Sequence, residues 1–398
     1  MTELTQTAQP GSVQHGLTEH SHGYGVPIQT RNERVRSAKV EDFAAITVRD
    51  EQWRYLPVER LNGLDTDVLD EFSGDIVLDA PAGVAASWVG PEHEAFGSAG
   101  LPEDRTSAAA WSSAQAAYLI DVPAADEHQV IRLTLKATDA EPSALHVIVR
   151  AAKFAEATVV LDHTGNGNLA ENVEIIVADE ANLTVVSVQQ WGDKSAHTSA
   201  QFAKIGRNSK LKHIVASLGG KTVRVTPSVV YEGPGGDAEL LGVYFAESEQ
   251  HLEHRPYIDH GVPNCKSRVT YKGALQGAGA HTIWVGDVLI RAEAEGTDTY
   301  ELNRNLLLTD GARADSVPNL EIETGEIEGA GHASASGRFD DEQLFYLQAR
   351  GINEEEARRL VVRGFLNEII QQIGNDEVQA RLNQAIENEL SVNLKGNN

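Results

Sequence analysis

The amino-acid sequence predicts a mainly β protein, with a coiled stack of strands favoured over a face-to-face sandwich, and three observations carry that reading. From about residue 140 to 330 the chain runs through LHVIVRAA, VEIIVA, LTVVSVQQW, KLKHIVASL, VRVTPSVVY, LLGVYFA, SRVTYKGAL, HTIWVGDVLIRAE and LEIETGEI. Each run is rich in β-branched or aromatic residues and is bounded by Gly, Asn or Asp, the pattern of a strand between turns. No helical periodicity separates the runs, which argues against alternating βαβ units. The runs also recur, beginning near Leu183, Leu211, Leu240, Arg268 and Thr297 at steps of 28, 29, 28 and 29 residues. Repeats of that length suit a solenoid, in which each coil buries its apolar face on the next. Two strands per unit also suit sandwich hairpins, whose turns come every ~8–12 residues, so periodicity alone leaves both architectures open.

Four regions are expected. Residues 1–35 are polar and rich in Gly, His, Gln and Thr, and read as a disordered tail whose His15, His20 and His22 are solvated. Residues 36–135 form a partly helical N-terminal region, pinned to the body by Trp53, Tyr55 and Leu56 of DEQWRYLPVERL. Residues 136–335 are the β core, and 336–398 a helical domain. In that last region Asp340 caps a helix over DEQLFYLQAR, which stops at Gly351. Asn353 with Glu356 starts a second helix with Ala357, Leu360, Val361, Phe365 and Ile369 on one stripe. Gly374 ends it, and Asn375 opens a third carrying Val378, Leu382, Ala385, Ile386 and Leu390. Such stripes pack against one another, and any spare apolar surface serves a partner.

Composition narrows the function. Lys and Arg total 33 against 59 Asp and Glu, a formal charge of −26, which repels phosphate backbones and anionic membranes. Cys265 is the only cysteine, so neither an intrachain disulfide nor a four-thiolate iron–sulfur site can form from this chain alone. Met1 to Gly11 has no basic residue ahead of an apolar stretch, and no apolar run approaches a membrane span, so a cytoplasmic protein is expected. GxSxG, HExxH and Walker A motifs are absent, in keeping with a chain that is not itself an enzyme.

Three groups of residues qualify as candidates for chemistry. His251, His254 and His260 of HLEHRPYIDH lie near Glu253 and Asp259, but on a strand residues three apart face opposite ways, which favours structural roles. Cys265 in GVPNCKSRV reads as a small buried hydrophobe. His332 in GEIEGAGHASASGRF lies where strand texture gives way to helix, among Gly329, Ala330, Gly331, Ala333 and Ser334. Small neighbours leave its imidazole open to a second surface, and neutral imidazole ligates iron well.

The stretch from Tyr257 to Ile370 resembles the SufB/SufD family of iron–sulfur cluster assembly scaffolds. The blocks that carry the resemblance are DHGVPNCKS, VGDVLIRAEAEGTDTYELNRNLLLTDGARADSVPNLEI, GHASASGRFDDEQLFYLQARGI and ARRLVVRGFLNEII, with EQWRY upstream at 51–55. The resemblance implies a right-handed parallel β-helix core with a partly helical N-terminal region and a C-terminal helical domain. It also implies pairing with a SufB-like homologue through the β-helix end and docking of a SufC-like ATPase on the C-terminal helices. A transient iron–sulfur cluster would then be shared with SufB, with none on the isolated chain. SufB-like chains carry a cysteine before the leucine run and a Glu after the histidine of their HEA motif. Here those positions are Asn303 and Ala333, which places the chain on the SufD side of the family. His332 matches the histidine of the SufD CSHGA-type motif and is the carried-over candidate ligand of a nascent cluster at the SufB interface, whereas the motif's cysteine is Ala330 here. Two alternatives are a SufB-like scaffold working as a homodimer and a carbohydrate-active β-helix enzyme. The second needs clustered carboxylates and exposed aromatics, and aromatic content is only 6%.

Overall fold

A computed structural model describes residues 34–338 and 341–393 of the chain. Its core is a parallel β-solenoid whose strands form a nine-stranded and an eleven-stranded sheet. Each coil places one strand on each sheet, as Glu156–Gly165 and Asn168–Val177 do. Side chains alternate across a strand, so every second residue enters the lumen. Leu161, Val173, Val185, Val215, Val225, Leu240, Val269 and Val288 do so and are fully buried there. This settles the choice that periodicity left open, because a sandwich would pair its strands antiparallel.

The repeat is less regular than the sequence suggests. Along the nine-stranded sheet the register runs through Ala157, Leu183, Leu211, Ala238, Ser267, Thr299 and Ala330, at steps of 26, 28, 27, 29, 32 and 31 residues. Leu240 pairs with His213, two residues past the true start of its repeat. The strands keep a common length while the corner loops grow toward the C-terminus.

One corner uses a left-handed residue in coil after coil: Phe154, Glu180, Asn208, Gly235, Asn264 and Gly296 all have φ between 52° and 78°. Glycine and asparagine adopt that conformation at little cost, while a bulky residue does not. Phe154 is exposed and packs only loosely under Lys153. Phe154→Asn is therefore expected to stabilise the protein by about 0.5–1 kcal/mol, read as a rise in the urea midpoint.

The two ends of the solenoid differ. At the N-terminal end, Gly74–Asp79 pairs antiparallel with Gln129–Ala137, and Ala85–Val89 with Ala117–Val122, closing both sheets. At the C-terminal end, Arg313–Ile322 and Gly329–Arg338 each pair on one side only, among the described residues. Among the described residues, parallel strands continuous with the coils include Ala117–Val122 near one end and Gly329–Arg338 at the other. Arg34 already belongs to the body, with its guanidinium 2.9 Å from Glu103, 2.7 Å from Asp287 and stacked over Tyr257. Of the expected tail, His15, His20 and His22 lie outside the described residues.

The N-terminal region covers the outer face of the eleven-stranded sheet. Helix α1 (Arg105–Ser113) begins at a capping box, Asp104 accepting from the Ser107 amide at 2.9 Å. Ala108, Ala109 and Ala110 are fully buried, small enough for the helix to lie close on the strands. Trp53 and Leu56 are buried as pins, with Tyr55 only half-buried. Arg224 stacks on Trp53 and meets Glu253 at 3.2 Å and Asp104 at 3.5 Å, so its buried charge is compensated.

Three helices follow the last coil: α2 (Asp341–Ala349), α3 (Glu354–Ile370) and α4 (Asp376–Asn393). The residue expected to cap α2, Asp340, lies outside the described residues. Asn353 caps α3 by accepting from the Glu356 amide at 2.9 Å. Helices α3 and α4 lie on the outer face of the nine-stranded sheet, against Val160, Val186, Ile214, Leu241, Val243 and Phe245. Ion pairs Lys272–Glu368 and Arg381–Asp162 fasten them there. The α4 stripe is buried as read from the sequence, but on α3 the buried residues are Ala357, Val362, Leu366, Ile369 and Ile370, with Leu360, Val361 and Phe365 half-exposed. The sheet, and not a neighbouring helix alone, sets which face turns inward. None of the described helices is long and apolar enough to cross a membrane.

Candidate functional site

The open C-terminal end carries the candidate site because an unpaired strand edge is a template for another chain. His332 sits within the last strand of the nine-stranded sheet, not beyond the strands as its sequence position suggested, and its ring is exposed. It pairs in register with Glu301 of the preceding coil. Lumen-facing positions repeat from coil to coil, so His332 lies on the lumenal side of a coil that, among the described residues, has nothing above it. Ala330, Ser334 and Ser336 share that side, and none of them fills the space around the ring.

Beneath His332 the lumen is polar. Glu301 is about 1% exposed and, among the described residues, neither carboxylate oxygen has a hydrogen-bond partner. Burial, with the nearby Asp287 charge, raises its carboxyl to about 8. Asn303 donates to the Tyr244 hydroxyl at 2.9 Å and accepts from Ser316 at 2.7 Å and from Asn305 at 2.8 Å. Asn305 also accepts from Tyr244 at 2.7 Å and donates to Ser336 at 3.2 Å. The position aligned with the SufB-like cysteine thus holds an amide locked into a buried network, with no free face for a ligand.

The other sequence candidates are structural. His254 stacks on Tyr244 with centroids 4.7 Å apart and bonds Ser217 at 2.9 Å, and burial lowers its pKa to about 3. His260 stacks on Tyr231 at 4.7 Å and bonds Ser267 at 2.9 Å, and burial lowers its pKa to about 4. His251 faces outward against His281, their centroids 5.2 Å apart, and lies 3.3 Å from Glu253. The three imidazoles do not converge. Cys265 is fully buried, and burial raises its thiol pKa, which suppresses the reactive thiolate.

A group that the sequence did not single out does converge. His163, Glu171 and His197 meet deep in the lumen, with one ligand-type atom from each within 4.8 Å of the others. Nothing in the spacing of DHTGN, NLAENVEI and AHTSAQF announces this, because the three residues stand on three strands whose mutual register only the coils define. The available signal was the placement of charged and polar residues at inward positions of otherwise apolar strands.

Residues 134–365, more than half of the chain, match the sequence profile of the SUF system FeS cluster assembly SufBD core domain. The chain is similar to an iron–sulfur cluster assembly SufBD family protein of Mycobacterium leprae, 51% identical over 89% of this chain and 93% of the relative. It is similar to a like-named protein of Mycobacterium tuberculosis, 50% identical over 95% of this chain and 96% of that one. A second SufBD family protein of M. tuberculosis matches at 29% identity, over 54% of this chain and 25% of its own length.

Proposed function

The chain belongs to the SufBD family of iron–sulfur cluster assembly proteins, and from that premise we propose that it is the SufD-type scaffold subunit of a cytoplasmic SUF complex, catalysing no reaction itself. The single observation that carries this reading is the unpaired edge at Gly329–Arg338, with His332 exposed on its lumenal side. A SufB-type homologue with the same strand spacing can continue both sheets across that edge. The cargo is a nascent cluster at the junction. His332 supplies one imidazole, and the partner supplies the thiolate and carboxylate that Asn303 and Ala333 have replaced here.

The C-terminal helices form the dock for a SufC-type ATPase. On α2, Phe345 is 72% and Tyr346 56% exposed, an aromatic pair beside the buried α3 and α4 faces, with Arg350 over the Tyr346 ring. ATP-driven dimerisation of two such ATPase subunits would load the scaffold junction through α2 and open it for cluster transfer. The double variant Phe345→Ala/Tyr346→Ala is expected to weaken ATPase binding by at least about tenfold and to leave the scaffold pair intact, as read by co-purification and titration calorimetry.

Co-expression with a SufB-like and a SufC-like chain, followed by iron and sulfide analysis, tests the whole reading. A stable complex that assembles clusters supports it. A chain that pairs only with itself, and assembles clusters in that form, would instead establish the homodimeric scaffold.

A further inference from the structure

We propose that His163, Glu171 and His197 form a divalent-metal site inside the solenoid, separate from the junction that handles the cluster and suited to a cation of the zinc or ferrous-iron class. The argument begins with where the imidazole protons must lie. His163 Nδ1 is 3.1 Å from the Val188 carbonyl oxygen, which can only accept, so Nδ1 carries a proton. His197 Nδ1 is 2.8 Å from Gln189 Oε1. That atom is fixed as oxygen because Trp191 Nε1, a donor only, also reaches it at 3.0 Å. Nδ1 of His197 is therefore a donor as well.

With Nδ1 committed on each ring, both turn Nε2 onto the same carboxylate. His163 Nε2 is 3.1 Å from Glu171 Oε1, and His197 Nε2 is 3.5 Å from Glu171 Oε2. All three side chains are wholly buried. Acceptors facing one another in a dry interior repel unless a proton or a cation lies between them. A proton on His163 answers its contact with Glu171 and leaves the other unanswered, since His197 Nε2 has no hydrogen-bond partner. One cation at the centre answers every contact.

The geometry suits that occupant. Ligand atoms around a tetrahedral zinc with bonds near 2.0–2.1 Å stand ~3.3 Å apart, close to the two separations here. Two imidazoles and a carboxylate are a recurrent donor set for zinc and for ferrous iron. The surroundings also match a metal site's outer shell, in which each ligand is oriented through its far atom. Val188 and Gln189 hold the rings by Nδ1, and Ser199 Oγ donates to Glu171 Oε2 at 2.9 Å. The Trp191 ring lies 5.7 Å from His163 and 5.1 Å from His197, walling one side with an apolar face. Buried on every side, the site fills as the coils close around it, so the ion exchanges slowly afterwards.

The test uses the full-length chain without partners, so its outcome is independent of the SufD reading. The chain is refolded from denaturant with and without Co²⁺ or Zn²⁺, dialysed against chelator, and assayed by elemental mass spectrometry and visible absorption. About one retained ion per chain, a ligand-field spectrum for the cobalt form and a higher melting temperature than the metal-free protein are expected. Glu171→Gln keeps the side-chain shape and is expected to lose the ion with an unchanged circular dichroism spectrum. Should that variant fail to fold, His197→Gln, which removes one Nε2 ligand, serves the same comparison. A wild-type chain that refolds yet retains no metal, with the same melting temperature in both conditions, overturns the proposal. Equal retention by wild type and variant also overturns it.

Discussion

His332→Ala is expected to leave the scaffold complex assembled while lowering the yield of cluster by about 10–100-fold, the scale at which losing an interaction at a metal centre is felt. The two halves of that expectation have separate causes. The ring is exposed on an edge strand, and substitutions at such positions shift stability by no more than about 0.5 kcal/mol. The strand keeps its ladder to Asp298–Leu307, so its edge, the proposed template for a partner strand, survives. What would disappear is the proposed nitrogen ligand, in a place where the described residues offer no other: Cys265 is sealed in the core and Asn303 is bound into a network. Iron and sulfide content of the purified complex, alongside gel filtration, measures both. Normal cluster yield from an intact complex would remove His332 from the ligand set. Loss of the complex itself would make His332 an assembly residue.

Glu301→Gln is expected to stabilise the protein at alkaline pH by on the order of 3–5 kcal/mol and to change little at pH 5. The sign follows from the raised pKa. In the unfolded chain the carboxyl ionises near its ordinary value of 4.5, whereas in the folded protein it holds its proton to about 8. Between those values the native state binds the extra proton, so stability falls as pH rises, and the fall ends above about 8. Glutamine cannot ionise, and its variant escapes that loss. Urea unfolding at pH 5 and at pH 9 reads the difference. Parallel behaviour of the two proteins across that range would mean that the carboxylate finds compensation in solution. The same carboxyl lies one coil below His332, so at neutral pH it is largely protonated and adds little negative charge beneath the ring.

Much of the architecture was legible in the sequence because strand burial is a local property. LTVVSVQQW and KLKHIVASL are readable as strands by their β-branched content and flanking turn residues, although both of their faces are buried, and the spacing between such runs announced the coil. The spacing was imperfect at Leu240 because corner loops vary freely at the surface while ladder register does not. On α4 the stripe was readable, since one face meets one sheet. On α3 it was displaced, because the angle at which a helix crosses a sheet is fixed by the sheet's own ridges.

The chain by itself determined that stacked strands would form, that one cysteine could not hold a cluster, and that His332 would stand among residues too small to cover it. Only the tertiary structure decided which end of the stack stays open, and that Asn303 is committed to Tyr244 and Ser316. Only it brought His163, Glu171 and His197 together across three strands. The reason is physical: alternation and composition act over a few residues, whereas contact between coils depends on register summed over every intervening loop, and no short stretch of sequence contains that sum.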